Sequence, residues 1–240
     1  MKRISGPTRW SAAALLVLAG VTGCSGDDDA SEALTDRDGA DVVKTVAADM
    51  AKVNAMHVSG VSEEAGTTVT FDLSTDRVGH CVGEMSIGAG SSQFVTDGKQ
   101  FFIKGNDAFW SSTTEDAGTA KKVLKFIGGN WALVEGAEFA EFCDLASMLE
   151  GIGEQPEDAE LKVSDDVTVH RGDKVVKVVS TRKDGDVTTT LVTSKAPHRI
   201  VRSARTGSTT STLELSDFDV PVRAVLPAEG DYVDLAKLTK

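Results

Sequence analysis

Turn signals at short, regular spacing limit the fold of this 240-residue chain more than any other feature. Asp97-Gly98, Arg171-Gly172-Asp173, Lys183-Asp184-Gly185-Asp186 and Thr206-Gly207-Ser208 each break a run of alternating side chains. Before the first of them, Val69, Phe71 and Leu73 share one side of a run, and Cys81, Gly83, Met85 and Ile87 share one side of the next. A period of two is the mark of a half-buried strand, and a short turn between two such runs forces antiparallel pairing. Strands are therefore expected near 57–61, 67–72, 81–87, 91–96, 99–104, 167–169, 174–180, 187–193, 198–205 and 209–215.

Two interruptions have helical spacing. From Asp41 to Met56, Val43, Val46, Met50 and Val53 form one stripe, and Asp38 or Asp41 can cap its start. In the middle, Glu115 and Asp116 precede Ala120, Val123, Leu124 and Ile127, and Gly128-Gly129 closes that helix; another is expected from Ala137 to Leu149, stopping at Gly151. No long linker separates these pieces, so residues 37–240 read as one α+β domain: an antiparallel sheet or open barrel with a few helices.

The start of the chain is organised differently. Met1-Lys2-Arg3 and Arg9 flank an apolar run, Ala12–Val21, about ten residues long, too short to span a bilayer core of about 30 Å. With the small residues that follow, this is the layout of a cleaved secretory signal, residues 1–23. Val21-Thr22-Gly23-Cys24 resembles a bacterial lipobox, in which Cys24 becomes the first residue and carries a diacylglyceryl group. Two acyl chains hold a protein where one binds marginally, since each buried methylene contributes about 0.8 kcal/mol. Residues 24–36, with Asp27-Asp28-Asp29, read as a flexible acidic tether. The expected location is the extracytoplasmic face of the cytoplasmic membrane, with Cys24 as the attachment. Without residues 1–23 the chain holds 22 basic and 37 acidic residues, a net −15. That balance argues against nucleic acid and against adhesion to anionic lipid heads.

With Cys24 spent on lipid, Cys81 and Cys143 remain. An even pair in an exported protein reads as a disulfide; two separate buried thiols are the alternative. Cys143 would share a helical face with Phe139, Phe142 and Ala146. Catalytic and metal motifs are missing: there is no Gly-x-Ser-x-Gly elbow and no His-Glu-x-x-His pair, and His57, His80, His170 and His198 are scattered. His80 and Cys81 are neighbours on a strand and point to opposite faces, so they are a poor ligand pair. No enzyme activity, metal or cofactor is expected.

Several short segments resemble the LppX–LprG family of actinobacterial lipoproteins. They are His57-Val58-Ser59-Gly60-Val61 after a helix, Asp97-Gly98 followed by Phe101-Phe102-Ile103-Lys104 and Phe109-Trp110, and Thr193-Ser194-Lys195-Ala196-Pro197-His198-Arg199-Ile200. The closing segment, Leu215-Ser216-Asp217-Phe218-Asp219-Val220-Pro221-Val222 with Leu226-Pro227-Ala228, resembles that family as well. The family is similar to the periplasmic carriers of the LolA type; this chain departs from it in its cysteine pair and its few aromatics. The resemblance implies a strongly curved antiparallel sheet, an open half-barrel, with helices packed on its concave face over an apolar cavity. The partner implied is an acyl-chain lipid or lipidated ligand, bound and passed on by a monomer. The expected lining is Val46, Met50 and Val53 from the first helix, Val69, Phe71, Leu73, Met85 and Phe94 from the sheet, and Leu124 and Leu145 as cover. The competing expectation is a cell-envelope interaction or sensory module in which the same side chains fill a dry core.

Overall fold

The computed structural model describes residues 34–114, 116–135, 143–153 and 159–238; Cys24, the signal and most of the tether lie outside them. Twelve strands form one sheet. In chain order they are β1 (Ala55–Glu64), β2 (Thr67–Asp76), β3 (His80–Ile87), β4 (Gly90–Asp97), β5 (Phe101–Gly105), β6 (Trp131–Val134), β7 (Glu160–His170), β8 (Asp173–Thr181), β9 (Val187–Thr193), β10 (Ile200–Thr206), β11 (Thr210–Ser216) and β12 (Tyr232–Asp234). Across the sheet they run β12-β6-β5-β4-β3-β2-β1-β11-β10-β9-β8-β7. Every pairing is antiparallel except β12 with β6, so the sheet is mixed rather than purely antiparallel.

The turns explain the register. Arg171-Gly172 carries positive φ at both residues, the two-residue geometry that matches strand twist. Ala65-Gly66 does the same without a sequence signal, because alanine pays a steric cost there that only the closed hairpin offsets. The turns after β2 and β4 lie against each other: a Cβ at Gly98 would sit 2.9 Å from the Val78 carbonyl oxygen, and one at Gly79 3.0 Å from the Gly98 Cα. The β10–β11 turn is held by Asp186, which accepts from the Ser208 N–H (2.8 Å), the Ser208 hydroxyl (3.0 Å) and the Arg205 guanidinium. Arg205 first, then the Ser208 N–H, hold the Asp186 carboxyl down at about 2, against burial. Gly207 is required beside it, since a Cβ there would meet an Asp186 oxygen at 1.9 Å.

The sheet curls without closing. β5 and β8 are eight positions apart, about 38 Å on a flat sheet at roughly 4.8 Å per strand. Yet Phe101 and Ile103 of β5 belong to the same buried cluster as Val176 and Val178 of β8. Helices occupy the space between: α1 (Gly39–Met50), α2 (Asp107–Ser112), α3 (Ala117–Ile127) and α4 (Leu145–Gly153).

Each helix is started by a side chain. Asp38 accepts from the Ala40 N–H, Asn106 from Phe109, Asp116 from Gly118 and Thr119, and Asp144 from Ala146. The α3 helix ends at Gly128 in the left-handed region, φ 58°. A 12-residue helix is marginal by itself, so packing decides α1. Val42, Val46 and Met50 are buried, each contributing about 1.5–3 kcal/mol relative to exposure.

Four sequence expectations change. The first helix ends at Met50, not Met56; Val53 follows it and Met56 lies in β1, and both are buried from non-helical positions that happen to extend the stripe. Helix α2 and strands β6 and β12 were not expected, being three to six residues long and too short to show a period. Of the stretch expected to be helical from Ala137 to Leu149, the described helix is α4 from Leu145, with Cys143 two residues before it rather than on its face; residues 136–142, Phe139 and Phe142 among them, lie outside the described residues. Leu34–Asp36, assigned to the tether, forms a short 3-10 turn with Leu34 buried in the core.

Candidate functional site

The inner face of the sheet differs from one end to the other. Along β2 to β6 it carries large side chains. Phe94 stacks on Phe101 with centroids 6.0 Å apart, and Phe109 and Trp110 of α2 meet edge to face at 5.1 Å. Val123 and Ile127 of α3 join them in the buried cluster. Along β8 to β10 the inner face carries Val178, Thr190, Val192 and Ile200. Over these lie Val42, Val43, Val46, Ala47 and Met50 of α1 and Leu149 of α4, and between the two layers is an apolar cavity of about 30 Å³. Thr190 is its one lining residue with a polar side chain.

The two helical walls are held in different ways. The open carbonyls at the end of α1 are taken by two guanidinium groups: Arg77 donates to Ala51 and Val53, and Arg199 donates to Asp49. The Asp49 side chain accepts from the Lys52 ammonium (2.9 Å) and the His198 N–H (2.8 Å), and Ile200 N–H points at the Met50 sulfur at 3.4 Å. The Lys52 hydrogen bond foremost, with the His198 N–H, holds the Asp49 carboxyl below the usual carboxylate range against burial. Arg77 follows β2 and Arg199 precedes β10, so α1 is fastened to both halves of the sheet.

Helix α4 is fastened at its start. Cys143, two residues before it, forms a disulfide with Cys81 of β3, Cα–Cα 5.7 Å. The buried Thr75 hydroxyl on β2, opposite Cys81 in the ladder, donates to the Cys143 carbonyl at 2.6 Å. The expected bridge is therefore present, and it joins the approach to α4 to the early strands.

Of the ten residues expected to line a cavity, Val46 and Met50 line this one. Val53, Leu73, Phe94 and Leu145 are buried in the surrounding core, and Phe71, Met85 and Leu124 are partly buried against it. Val69 is half-buried and outside that cluster. The sequence reading missed Val42, Val43, Ala47, Leu149, Val178, Thr190, Val192 and Ile200. Strands were expected over β8 and β9, but which of their side chains face inward, or face α1, was not read from the sequence.

The histidines stay apart. His57 Nε2 lies 2.9 Å from Asp72, His80 Nδ1 2.8 Å from Asp76 and His170 Nε2 2.9 Å from Glu214, while His198 Nδ1 lies 3.0 Å from the Thr193 carbonyl oxygen. Burial works to raise Glu214, but hydrogen bonds from His170 and Arg202 outweigh it and hold the carboxyl below its ordinary value. Among the described residues no group of three or more His, Cys, Asp or Glu is placed to hold a metal ion. No helix among them is long and apolar enough to cross a membrane.

No protein-family model matches the chain, and no curated protein is similar to it in sequence. Among solved structures, LprF from Mycobacterium bovis superposes with a TM-score of 0.55 at 16% identity, covering 78% of this chain and 95% of that one. The lipoprotein LppX from Mycobacterium tuberculosis matches with a TM-score of 0.48 at 13% identity, over 76% of this chain and 96% of that one. This chain has the fold of LprF. The resemblance to the LppX–LprG family read from short motifs is thereby borne out in the architecture, an open, curled sheet with helices on its inner face.

Proposed function

We propose that this chain is an extracytoplasmic lipoprotein, anchored through Cys24, that binds an acyl-chain lipid or lipidated molecule between α1, α4 and the β8–β10 face and passes it on. In this reading residues 1–23 are removed, the tether runs from Cys24 to the turn at Leu34, and the monomeric domain performs no catalysis. The observation that carries it is the apolar seam itself. Two helices meet a sheet there across aliphatic side chains, with a small cavity left between them. The shared fold with LprF supports it.

About 30 Å³ is the share of a single water molecule. An acyl chain enters only if one wall of the seam yields. Burying about fifteen methylenes at about 0.8 kcal/mol each offers on the order of 12 kcal/mol against the cost of opening. Native mass spectrometry of the protein taken from its own membrane tests the reading. The expected spectrum shows Cys24 lipidated and a second, dissociable lipid mass, and Leu149→Asp removes the second mass while the fold persists. A folded wild-type protein that carries no second lipid ends the carrier reading. The small cavity favours a second reading, an envelope interaction module with a filled core, which that result would support.

A further inference from the structure

The outer face of the sheet holds a second concavity, independent of the lipid reading. After β11 the chain runs back to β12 at the far edge, and on the way Val225 stands over the outer face of β3 and β4. With Val82, Val95 and Trp131 it lines a groove of about 470 Å³. Val225 is 82% exposed, an apolar side chain held out in water by a segment that is otherwise tied down at Asp219, whose N–H donates to the Ala55 carbonyl at 2.8 Å.

The polar side of the groove is one-signed. Asp72 of β2 and Glu84 of β3 are direct cross-strand partners on this face. Like charges placed opposite each other in a ladder are destabilising. Asp72 has His57 at 2.9 Å, whereas Glu84 is exposed and without an ion-pair partner among the described residues. No Lys or Arg lines the groove. A ladder position that costs stability, beside an exposed valine and a half-buried indole, has the chemistry of a surface that waits for a cation with an apolar stem.

We propose that this groove docks a basic peptide segment of a partner protein. A Lys or Arg of that segment sits between Asp72 and Glu84, and its stem and an adjacent apolar residue rest on Val82, Val225 and the Trp131 ring. Complementary charge sets the register and speeds the encounter; the apolar contacts slow dissociation.

The test uses the full chain and a fluorescein-labelled Gly-Val-Arg-Val-Lys-Val-Gly peptide, with the same peptide carrying Glu in place of Arg and Lys as control. The basic peptide is expected to shift Trp131 emission and to bind more weakly as salt rises. Glu84→Gln is expected to weaken binding about three- to fivefold without lowering the melting temperature, because it relieves the repulsion with Asp72. Val225→Ser is expected to weaken binding with the fold unchanged. Equal binding of the acidic control, unaltered affinity in Glu84→Gln, or no binding up to about 1 mM would each overturn the proposal. So would displacement by an equal concentration of free arginine, which would mark a small-cation site instead.

Discussion

The two ends of the sheet's inner face solve the same packing problem with different side chains. From β2 to β6, Phe94 and Phe101 stack on each other and share one buried cluster with the aromatic pair of α2. From β8 to β10, Val178, Thr190 and Val192 face Val42, Val43, Val46 and Ala47 across the seam. These are short, and β-branched side chains are stiff at their first torsion, so they cannot lean into a gap. Curvature is shared along the sheet, but residual space appears beside these short residues, with Met50, Leu149 and Ile200 completing its lining. The comparison teaches that side-chain length, together with the curl, decides how closely this apolar seam packs.

The filled end also holds the covalent strap, and cutting it is the largest change we expect. Cys81 and Cys143 are 62 residues apart, for which chain entropy gives about 4 kcal/mol of stabilisation. Replacing both with serine is expected to lower the unfolding free energy by that order in urea titration. Amide exchange should rise first at the start of α4, where the Thr75 hydrogen bond to Cys143 and the buried Leu145 would remain among the described contacts. A double variant as stable as the wild type would show that α4 is held by packing alone.

How far this layout could be read beforehand follows from the range of each interaction. The turns at Gly98, Gly172, Gly185 and Gly207, the caps at Asp38 and Asp116 and the stop at Gly128 were legible, because each is decided by a few neighbouring residues. The bridge was legible from the even cysteine pair together with the expectation of export. Helix α2 and strand β12 were not, because segments of six and three residues carry no period and are fixed by their neighbours. The cavity's place was not legible for a related reason. Strands were expected over Val178 and Val192, but their meeting with Val46 and Leu149 depends on how far the sheet curls, which no local pattern encodes.

A smaller effect tests the contrast between the two helical walls. Arg199 is 12% exposed; it donates to the Asp49 carbonyl, pairs with Asp219 at 3.2 Å and lies 5.6 Å from the Phe218 ring centroid. Arg199→Ala leaves a helix-end carbonyl without that donor, at a cost of about 1–3 kcal/mol. It also loosens the tie between α1 and the late strands. The expected outcome is lower stability together with faster exchange of any bound lipid, measured by stopped-flow transfer of a fluorescent fatty acid to vesicles. Lower stability with an unchanged transfer rate would mean that α1 plays no part in opening.

The finest test makes one substitution at both ends of the inner face. Val58 of β1 is 3% exposed within the filled core, and Val178 of β8 is 6% exposed on the wall of the cavity. Valine to isoleucine adds one methylene at either site and leaves strand propensity almost unchanged. At Val58 there is no room, so the added carbon forces neighbours off their rotamers at a cost of about 1–3 kcal/mol. At Val178 the carbon can enter about 30 Å³ of apolar space, and burying it contributes about 0.8 kcal/mol in the stabilising direction. The two variants are therefore expected to shift the urea midpoint in opposite directions, with the same slope of unfolding free energy against urea. In the carrier reading Val178→Ile also narrows the seam and reduces the amount of copurified lipid, while Val58→Ile leaves it as it was. Equal destabilisation at the two sites would show that the late strands are packed as tightly as the early ones, and that the seam holds no usable space.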